Sequence, residues 1–552
     1  MIKRLTLLVV MLLVSIPVMV SLPNQVFAQT VDTAWVRMYN GLGNGGDYAV
    51  AIAVDGSGNA YVTGYSVGSG DCATIKYYPN GDTAWVRRYN VGGFAIAVDG
   101  SGNVYVTGVS EGIGTSYDYA TIKYYPNGDT AWVRRYNGPA NGDDMAGSIA
   151  LDGFNNVYVT GCSDSTGSYQ DYATIKYDSS GNELWVKRYN GPPGNGRDEA
   201  SAIAVDCSSY VFVTGLSYGI GTERDYATIK YKPNGDTAWV RRYNGADRED
   251  LPNAIALDDS GNVIVTGASF EDGPGWYCVT IKYYPDGDTC WVRKYLRGGS
   301  GGGDRNHAIS TDDSNNVYVT GGSNSSGTND DYTTIKYYPN GDIAWVREYD
   351  GPSNGKDWAK AIAVDDSGNV YVTGRSDGGG TGDDYATIKY YSNGDSAWLR
   401  RYNGPGNSTD YPSAITVDRS GNVYVTGVST GSGTGCDYCT IKYVKKTSDV
   451  EDETGTRERP SEFGLSQNYP NPFNQGTKIE FTLSKSGFVT LQIYDLLGRK
   501  VRTLVSERLS PGYISVFWDG KNDAGKDVAS GVYFYQLRVG DFSKPKKMLL
   551  LK

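Results

Sequence analysis

The chain has 552 residues, a net charge of −11, 73 glycines, 46 tyrosines and one histidine. It is too long for one ordinary core, and its acidity excludes a face built to neutralise nucleic-acid phosphates. Any Ser/His/Asp or Cys/His centre would have to use His307.

The N-terminus carries Lys3 and Arg4, an apolar run from Leu5 to Val20, and Val26-Phe27-Ala28 before Gln29. This pattern predicts a secretory signal peptide over residues 1–28, with an uncleaved membrane anchor as the alternative. After cleavage the sequence offers no further segment suited to span a bilayer as a helix.

Between residues 31 and 444 one four-phrase unit recurs eight times, marked by Trp35, Trp85, Trp132, Trp185, Trp239, Trp291, Trp345 and Trp398 at spacings of 47 to 54 residues. The phrases read AWVRRYN, AIAVDGSGN, VYVTG and DYATIKYYPNGD. A period near 50 with four strand-like phrases predicts an all-β fold, a propeller of eight four-stranded blades. Consecutive apolar and small residues in AIAVD and VYVTG suit inner strands buried on both faces. Asp-Gly-Ser-Gly-Asn and Pro-Asn-Gly-Asp read as tight hairpin turns on one face of the disc. The longer, variable Gly/Ser-rich connections then share the opposite face, where binding usually sits. The first tryptophan phrase precedes any AIAVD phrase, and the last copy ends at Lys442 without one. The Trp35 strand is therefore expected to complete the eighth blade and hide two strand edges.

These GN-VYVTG phrases resemble the bacterial SBBP-type β-propeller repeats over roughly residues 31 to 444. The resemblance implies a propeller fold and extracytoplasmic use, with no defined activity. The family label implies seven blades, and the count of eight here departs from it.

Two carboxylate positions recur. One Asp lies five residues before the Ile of AIAV in seven copies, beginning with Asp47, Asp144 and Asp198; another lies three residues before the Thr of TIK, again in seven copies, beginning with Asp71, Asp118, Asp171 and Asp225. Both open strands on the variable-loop face, on strands two spacings, about 10 Å, apart. A like-charge pair at about 8 Å costs roughly 0.5 kcal/mol even in water, and a ring multiplies the pairs. Loop N–H groups with the repeated Lys of TIK would compensate them. Calcium between loops is the alternative, with Asp47, Asp71, Asp144, Asp171, Asp198 and Asp225 as ligands.

A unique site is expected where repetition fails, and the fifth copy departs most. It replaces its second-position Asp by Tyr277 and brings in Glu271, Asp272 and Trp276; its exit loop leads to Arg305 and His307, and Trp358 opens the next loop of that kind. These six residues are the candidate contacts for a glycan or protein ligand. The seven cysteines form no repeating framework. Cys436 and Cys439 form one CxxC, without zinc partners, where export would permit a disulfide.

Residues 445–462 read as a charged linker. Residues 463–552 carry alternating strand phrases separated by turn signals, as in a small Ig-like β-sandwich. Asp519 to Asp527 has a calcium-like composition without EF-hand order, and reads as a hairpin turn. The module resembles the type A C-terminal sorting domain of the type IX secretion system. The matching residues are Asn468, Pro470, Asn471, Pro472 and Phe473, then Ile493-Tyr494-Asp495, Trp518-Asp519-Gly520, Gly531 with Tyr533, and Lys547. The resemblance implies type IX secretion machinery as a partner, export across the outer membrane, removal of the domain, and a product attached to the surface or released.

Together these readings point to an exported, non-catalytic binding or adhesive propeller. The alternative is a secreted hydrolase or lyase acting on polysaccharide through carboxylates on the loop face.

Overall fold

The computed structural model describes residues 31–446 and 463–550, apart from 43, 68–70, 113, 167, 193, 195, 246–247, 273–274, 297–301, 325–329, 466–467, 469–470, 472, 474–476, 510–511 and 541. The signal-peptide segment, most of the linker, Pro470 and Pro472 lie outside the described residues. Two compact units divide at Lys445/Lys446. No helix among the described residues is long and apolar enough to cross a membrane.

The first unit is a propeller of eight four-stranded antiparallel blades, the fifth of which gains a two-residue parallel strand, Gly302–Gly303, beside Gly275 and Trp276. Blade 1 spans Asp47 to Tyr89, and each following blade repeats its order from innermost to outermost strand. Val31–Tyr39 pairs with Gly435–Lys445 and supplies the outermost strand of blade 8, so the ring closes as the repeat phase requires. The VYVTG strand is buried along its whole phrase in blade after blade, as at Val157–Gly161. This is why it carries no polar-out alternation.

Each repeated phrase is explained by one contact between neighbouring blades. The indole of Trp35 donates to the carbonyl of Pro79 at 3.1 Å, and Trp85 does the same to Pro126. The arginine two residues on reaches a second carbonyl of that turn, as Arg37 does to Gly81 at 2.6 Å. Gly81 sits at φ +87, and a Cβ there would meet the Trp35 ring at 2.6 Å. Both demands select glycine. The Tyr of DYATIK crosses to the next blade as well: Tyr119 donates to Ala173 O, Tyr172 to Ala227 O and Tyr438 to Ala73 O, at 3.1 to 3.2 Å. Tyrosine places an apolar ring in the seam and a donor at its end, which accounts for its heavy use.

The innermost strand carries a β-bulge in all eight blades, at the residue before the AIA-type phrase. The bulged residues are Val50, Phe94, Gly147, Ser201, Asn253, His307, Lys360 and Ser413 in blade order. Opposite each bulge stands the Gly of VYVTG. A Cβ on Gly64, Gly161, Gly215 or Gly374 would lie 1.9 to 2.0 Å from a backbone carbonyl of the bulged strand. The glycine therefore lets the bulge's backbone approach.

Two sequence expectations are corrected here. The Lys of TIK does not compensate the carboxylate rings, because it stands at the other end of its strand. Lys76 donates to Pro126 O, Lys123 to Ser179 O and Lys230 to Pro285 O, all on the tight-turn face. Cys436 and Cys439 are free thiols. Three residues apart on one strand, their side chains point to opposite faces about 10 Å apart, beyond disulfide reach.

The second unit packs a three-stranded sheet (Gly464–Leu465, Thr477–Leu483, Gly512–Trp518) with a four-stranded one (Gly487–Tyr494, Lys500–Leu509, Gly531–Val539, Phe542–Leu550). Their shared core holds Trp518 between Phe473 and Tyr533, with ring centroids 5.6 and 5.4 Å away. The motif residues serve this core. Asn468 donates through Nδ2 to Thr477, Asn471 accepts from the Leu549 amide at 2.9 Å, and Asp519 pairs with Arg502. Gly520 adopts φ +69 at the turn after Trp518, and Lys547 is exposed. Asn522 to Lys526 closes a hairpin turn inside the Asp519 to Asp527 stretch.

Candidate binding site

The first carboxylate ring is built into the loops. Asp144 accepts from Gly138 N, Asp198 from Gly191 N, Asp250 from Gly245 N and Asp410 from Gly404 N, at 2.6 to 2.9 Å; Asp47 accepts from Gly41 N and Ser66 Oγ. The side chains that open these strands are wholly buried and hold the inter-blade loops by capping. The second ring meets arginines of its own blade. Asp171 pairs with Arg188 at 3.1 Å, Asp225 with Arg242 at 2.8 Å and Asp384 with Arg401 at 3.1 Å. Each of these arginines also reaches the Tyr hydroxyl of the preceding blade. Asp118 and Asp437 accept from Thr115 and Thr434. Asp71 is half-buried beside loop residues outside the described set.

Among the described residues, one group of three carboxylates lies close enough to hold a metal ion: Asp331, Asp350 and Asp357, with one oxygen from each within 4.8 Å of the others. It lies between blades 6 and 7, and none of its three members is among the six aspartates named from the sequence as calcium ligands. Here Glu348 stands where Arg188, Arg242 and Arg401 stand in other blades, and Asp350 where Asn190 and Asn403 stand.

Burial has a pH consequence for the first ring. It pushes the carboxyls of Asp250 and Asp357 up to about 6 against the hydrogen bonds from Ser269 and Gly245, and from Ser376 and Gly351. Asp144, Asp198 and Asp410 are raised too, again mainly by burial. A carboxyl raised on folding stabilises the fold below its unfolded pKa, and that stability is lost as pH rises through the folded value. Two units amount to roughly 3 kcal/mol per group. The turn carboxylates have the opposite sign. Burial raises Asp55 and Asp99, but hydrogen bonds from Asn59 and Asn103 and from Tyr61 and Tyr105 outweigh it and leave both lowered. Their contribution is lost as pH falls through their folded values, below 3.8. The melting temperature is therefore expected to fall by several degrees between about pH 4.5 and pH 7.5, and Asp250→Asn should reduce that slope. A profile rising over the same interval would contradict this.

The sequence-derived binding residues do not form one cluster. Glu271 pairs with Lys294, and Asp272 with Arg248 at 3.2 Å, so both serve local ion pairs. Trp276 lies under the guanidinium of Arg305, 4.3 Å from its ring centroid, with Phe270 at its edge. His307 packs on Trp358 with centroids 5.9 Å apart, although the two residues belong to different blades. Trp358 donates to Asp330 at 2.7 Å.

Three partners escaped sequence reasoning. Arg375, on the second strand of blade 7, lies 4.9 Å from the Trp358 ring and 5.6 Å from that of Tyr411 in blade 8. Lys360 takes the bulge beside His307; its side chain reaches solvent, while the burial of its ammonium among the surrounding strands lowers its pKa from the ordinary lysine value. Burial, then Lys360, Arg305 and Arg375, lower the His307 pKa to about 4, so the imidazole is neutral at physiological pH. A sector from blade 5 to blade 8 thus carries Arg305, Lys360 and Arg375, with aromatic rings holding the two guanidiniums in place.

The β-propeller repeat family SBBP matches residues 35–70, 345–380 and 397–433, and the FlgD Ig-like domain family matches residues 466–540. The chain is an eight-bladed β-propeller with SBBP repeats, followed by an Ig-like domain. Among solved structures it is similar to PorZ, a surface component of the type-IX secretion system of Porphyromonas gingivalis. That match has 14% identity and a TM-score of 0.29, and covers 91% of this chain and 70% of PorZ. An ulvan lyase of a new polysaccharide lyase family aligns at 11% identity and TM-score 0.34, over 63% of this chain and 90% of its own. The β-propeller domain of the trilobed protease from Pyrococcus furiosus aligns at 8% identity and TM-score 0.34, over 66% and 96%. Scores of this size assign neither activity nor partner. No curated protein matches the chain.

Proposed function

We propose that this chain is an exported, non-catalytic β-propeller, displayed on the cell surface or released, that binds a glycan or protein ligand on its variable-loop face. Its C-terminal domain serves delivery by a type IX-like secretion machinery. The observation that carries the binding reading is the run of pairings across blades 5 to 8, in which Arg305 lies on Trp276, His307 on Trp358, and Arg375 against Trp358 and Tyr411. Rigid aromatic and arginine groups on a scaffold of this kind are what recognition surfaces are made of. The carboxylates around them cap loops or pair with cations, which supports binding over acid/base chemistry.

The test is a panel of immobilised polysaccharides and proteins, read for retention and for released product. Retention without product is expected, with retention weakened by Trp358→Ala in a variant that still melts cooperatively. Product release abolished by Glu271→Gln would contradict the reading.

A further inference from the structure

The eight bulges place one extra residue per blade at the same level of the innermost strands, and that residue varies from blade to blade, as does the one two positions before it. The burial of the residues leading to it alternates. In blade 7, Asp357 and Ala359 are buried, whereas Trp358 is half-buried and Lys360 exposed; blade 4 repeats this at Asp198 to Ser201. The bulge thus turns its residue toward the open centre of the ring, a use bulges have wherever a strand must re-aim a side chain.

The residues there are sorted. Blades 1 to 3 contribute Val50, Phe94 and Gly147. Blades 4 to 8 contribute Ser201, Asn253, His307, Lys360 and Ser413, an unbroken polar arc. Two positions earlier, blades 4 to 8 carry Glu199, which pairs with Arg197, then Leu251, Arg305, Trp358 and Tyr411, with Arg375 behind Trp358 on the neighbouring strand of blade 7. Arg305 is laid on Trp276, and Arg375 lies against both Trp358 and Tyr411. The ring faces are therefore occupied in fixing cations, and what remains to be met is positive charge beside hydroxyl and amide groups. Arg375 pairs with Asp383 at 3.4 Å. The neutral state of His307 leaves it a hydrogen-bonding group within this basic arc.

We propose that the polar arc of bulge residues, with Arg305 and Arg375, binds an acidic saccharide: its carboxylate or sulfate is held by Lys360 and the guanidiniums, and its hydroxyls by Ser201, Asn253, His307 and Ser413. This rests on the binding reading above and names its ligand class. Fixed guanidiniums suit planar or tetrahedral oxyanions, and the neutral hydrogen-bonding flank favours a polyol over an acidic peptide.

The test uses the mature full chain on immobilised alginate, polygalacturonate and dextran sulfate, against carboxyl-reduced alginate and polygalacturonate, unmodified dextran, and polyglutamate. Lys360→Ala and Lys360→Glu are suited variants, since the side chain is exposed and outside the packed seams. Retention on at least one acidic polysaccharide is expected. It should be weaker at higher salt, absent on the neutral counterpart, and reduced at least about tenfold by Lys360→Ala and further by Lys360→Glu. Equal retention on neutral forms, or retention indifferent to both Lys360 variants, would overturn this ligand class while leaving the binding reading in place. Retention on polyglutamate alone would assign the arc to acidic protein and overturn the saccharide. Failure on every acidic polysaccharide would overturn the inference. If no polysaccharide or protein of the wider panel is retained either, the binding reading falls with it.

Discussion

A chain starting at residue 40 is expected to lose the propeller's cooperative unfolding transition, whereas one starting at residue 29 keeps it. The truncation removes Val31–Tyr39, the only strand of blade 8 that comes from the other end of the chain. Trp35 leaves a seam where it packs on Tyr77 and Tyr424, and loss of one buried Trp side chain costs about 3–5 kcal/mol. The strand from Gly435 to Lys445 is left with a bare edge, so association between copies should accompany the loss. The Ig-like unit has its own core, and its transition should survive. Differential scanning calorimetry with light scattering reads all three effects. A monomeric truncated chain with an unchanged main transition would show that the ring does not depend on this closure.

The second large effect is expected at the glycine of VYVTG. In Gly267→Ala the new Cβ would lie 2.0 Å from Leu251 O, 2.7 Å from Tyr226 Oη and 2.8 Å from Pro252 Cα. Two of these atoms are backbone and cannot rotate away. Relief would require undoing the bulge in blade 5, and a cost of about 3 kcal/mol or more follows. Gly100→Ala is the matched control: nothing lies within 4 Å of its Cβ, and the change should stay within about 0.5 kcal/mol. Equal costs at the two sites, measured by denaturant unfolding, would remove the account of why this glycine recurs.

The ring and its closure were legible because the tryptophan phrase has a phase as well as a period. Trp35 stands before the first innermost strand, and no such phrase follows Lys442. The bulges were not legible. One extra residue in a strand that is already small and apolar leaves no periodicity to break, and only the pairing register shows it. The TIK lysine was misplaced for a simpler reason. Lys76 follows Asp71 by five residues along an extended strand, about 17 Å, and a strand has two ends.

At the binding sector, Trp276, Arg305, His307 and Trp358 could be found as breaks in the pattern. Lys360, Arg375 and Tyr411 could not, since blades some 50 residues apart meet only once the ring is closed. The reversal at Glu348 was on view in the phrase WVREYD beside WVRRYN. Its meaning needed Asp331, Asp350 and Asp357 to be seen together.

The central claim is that residues 31–444 are a propeller delivered outside the cell by a removable C-terminal domain. Mass spectrometry of both termini of the mature chain, recovered from surface, medium and cell fractions, tests it most directly. The account expects surface or medium material that begins after Ala28 and ends within or before residues 445–462. A mature chain retained inside the cell, or one that reaches the surface still ending at Lys552, would contradict it.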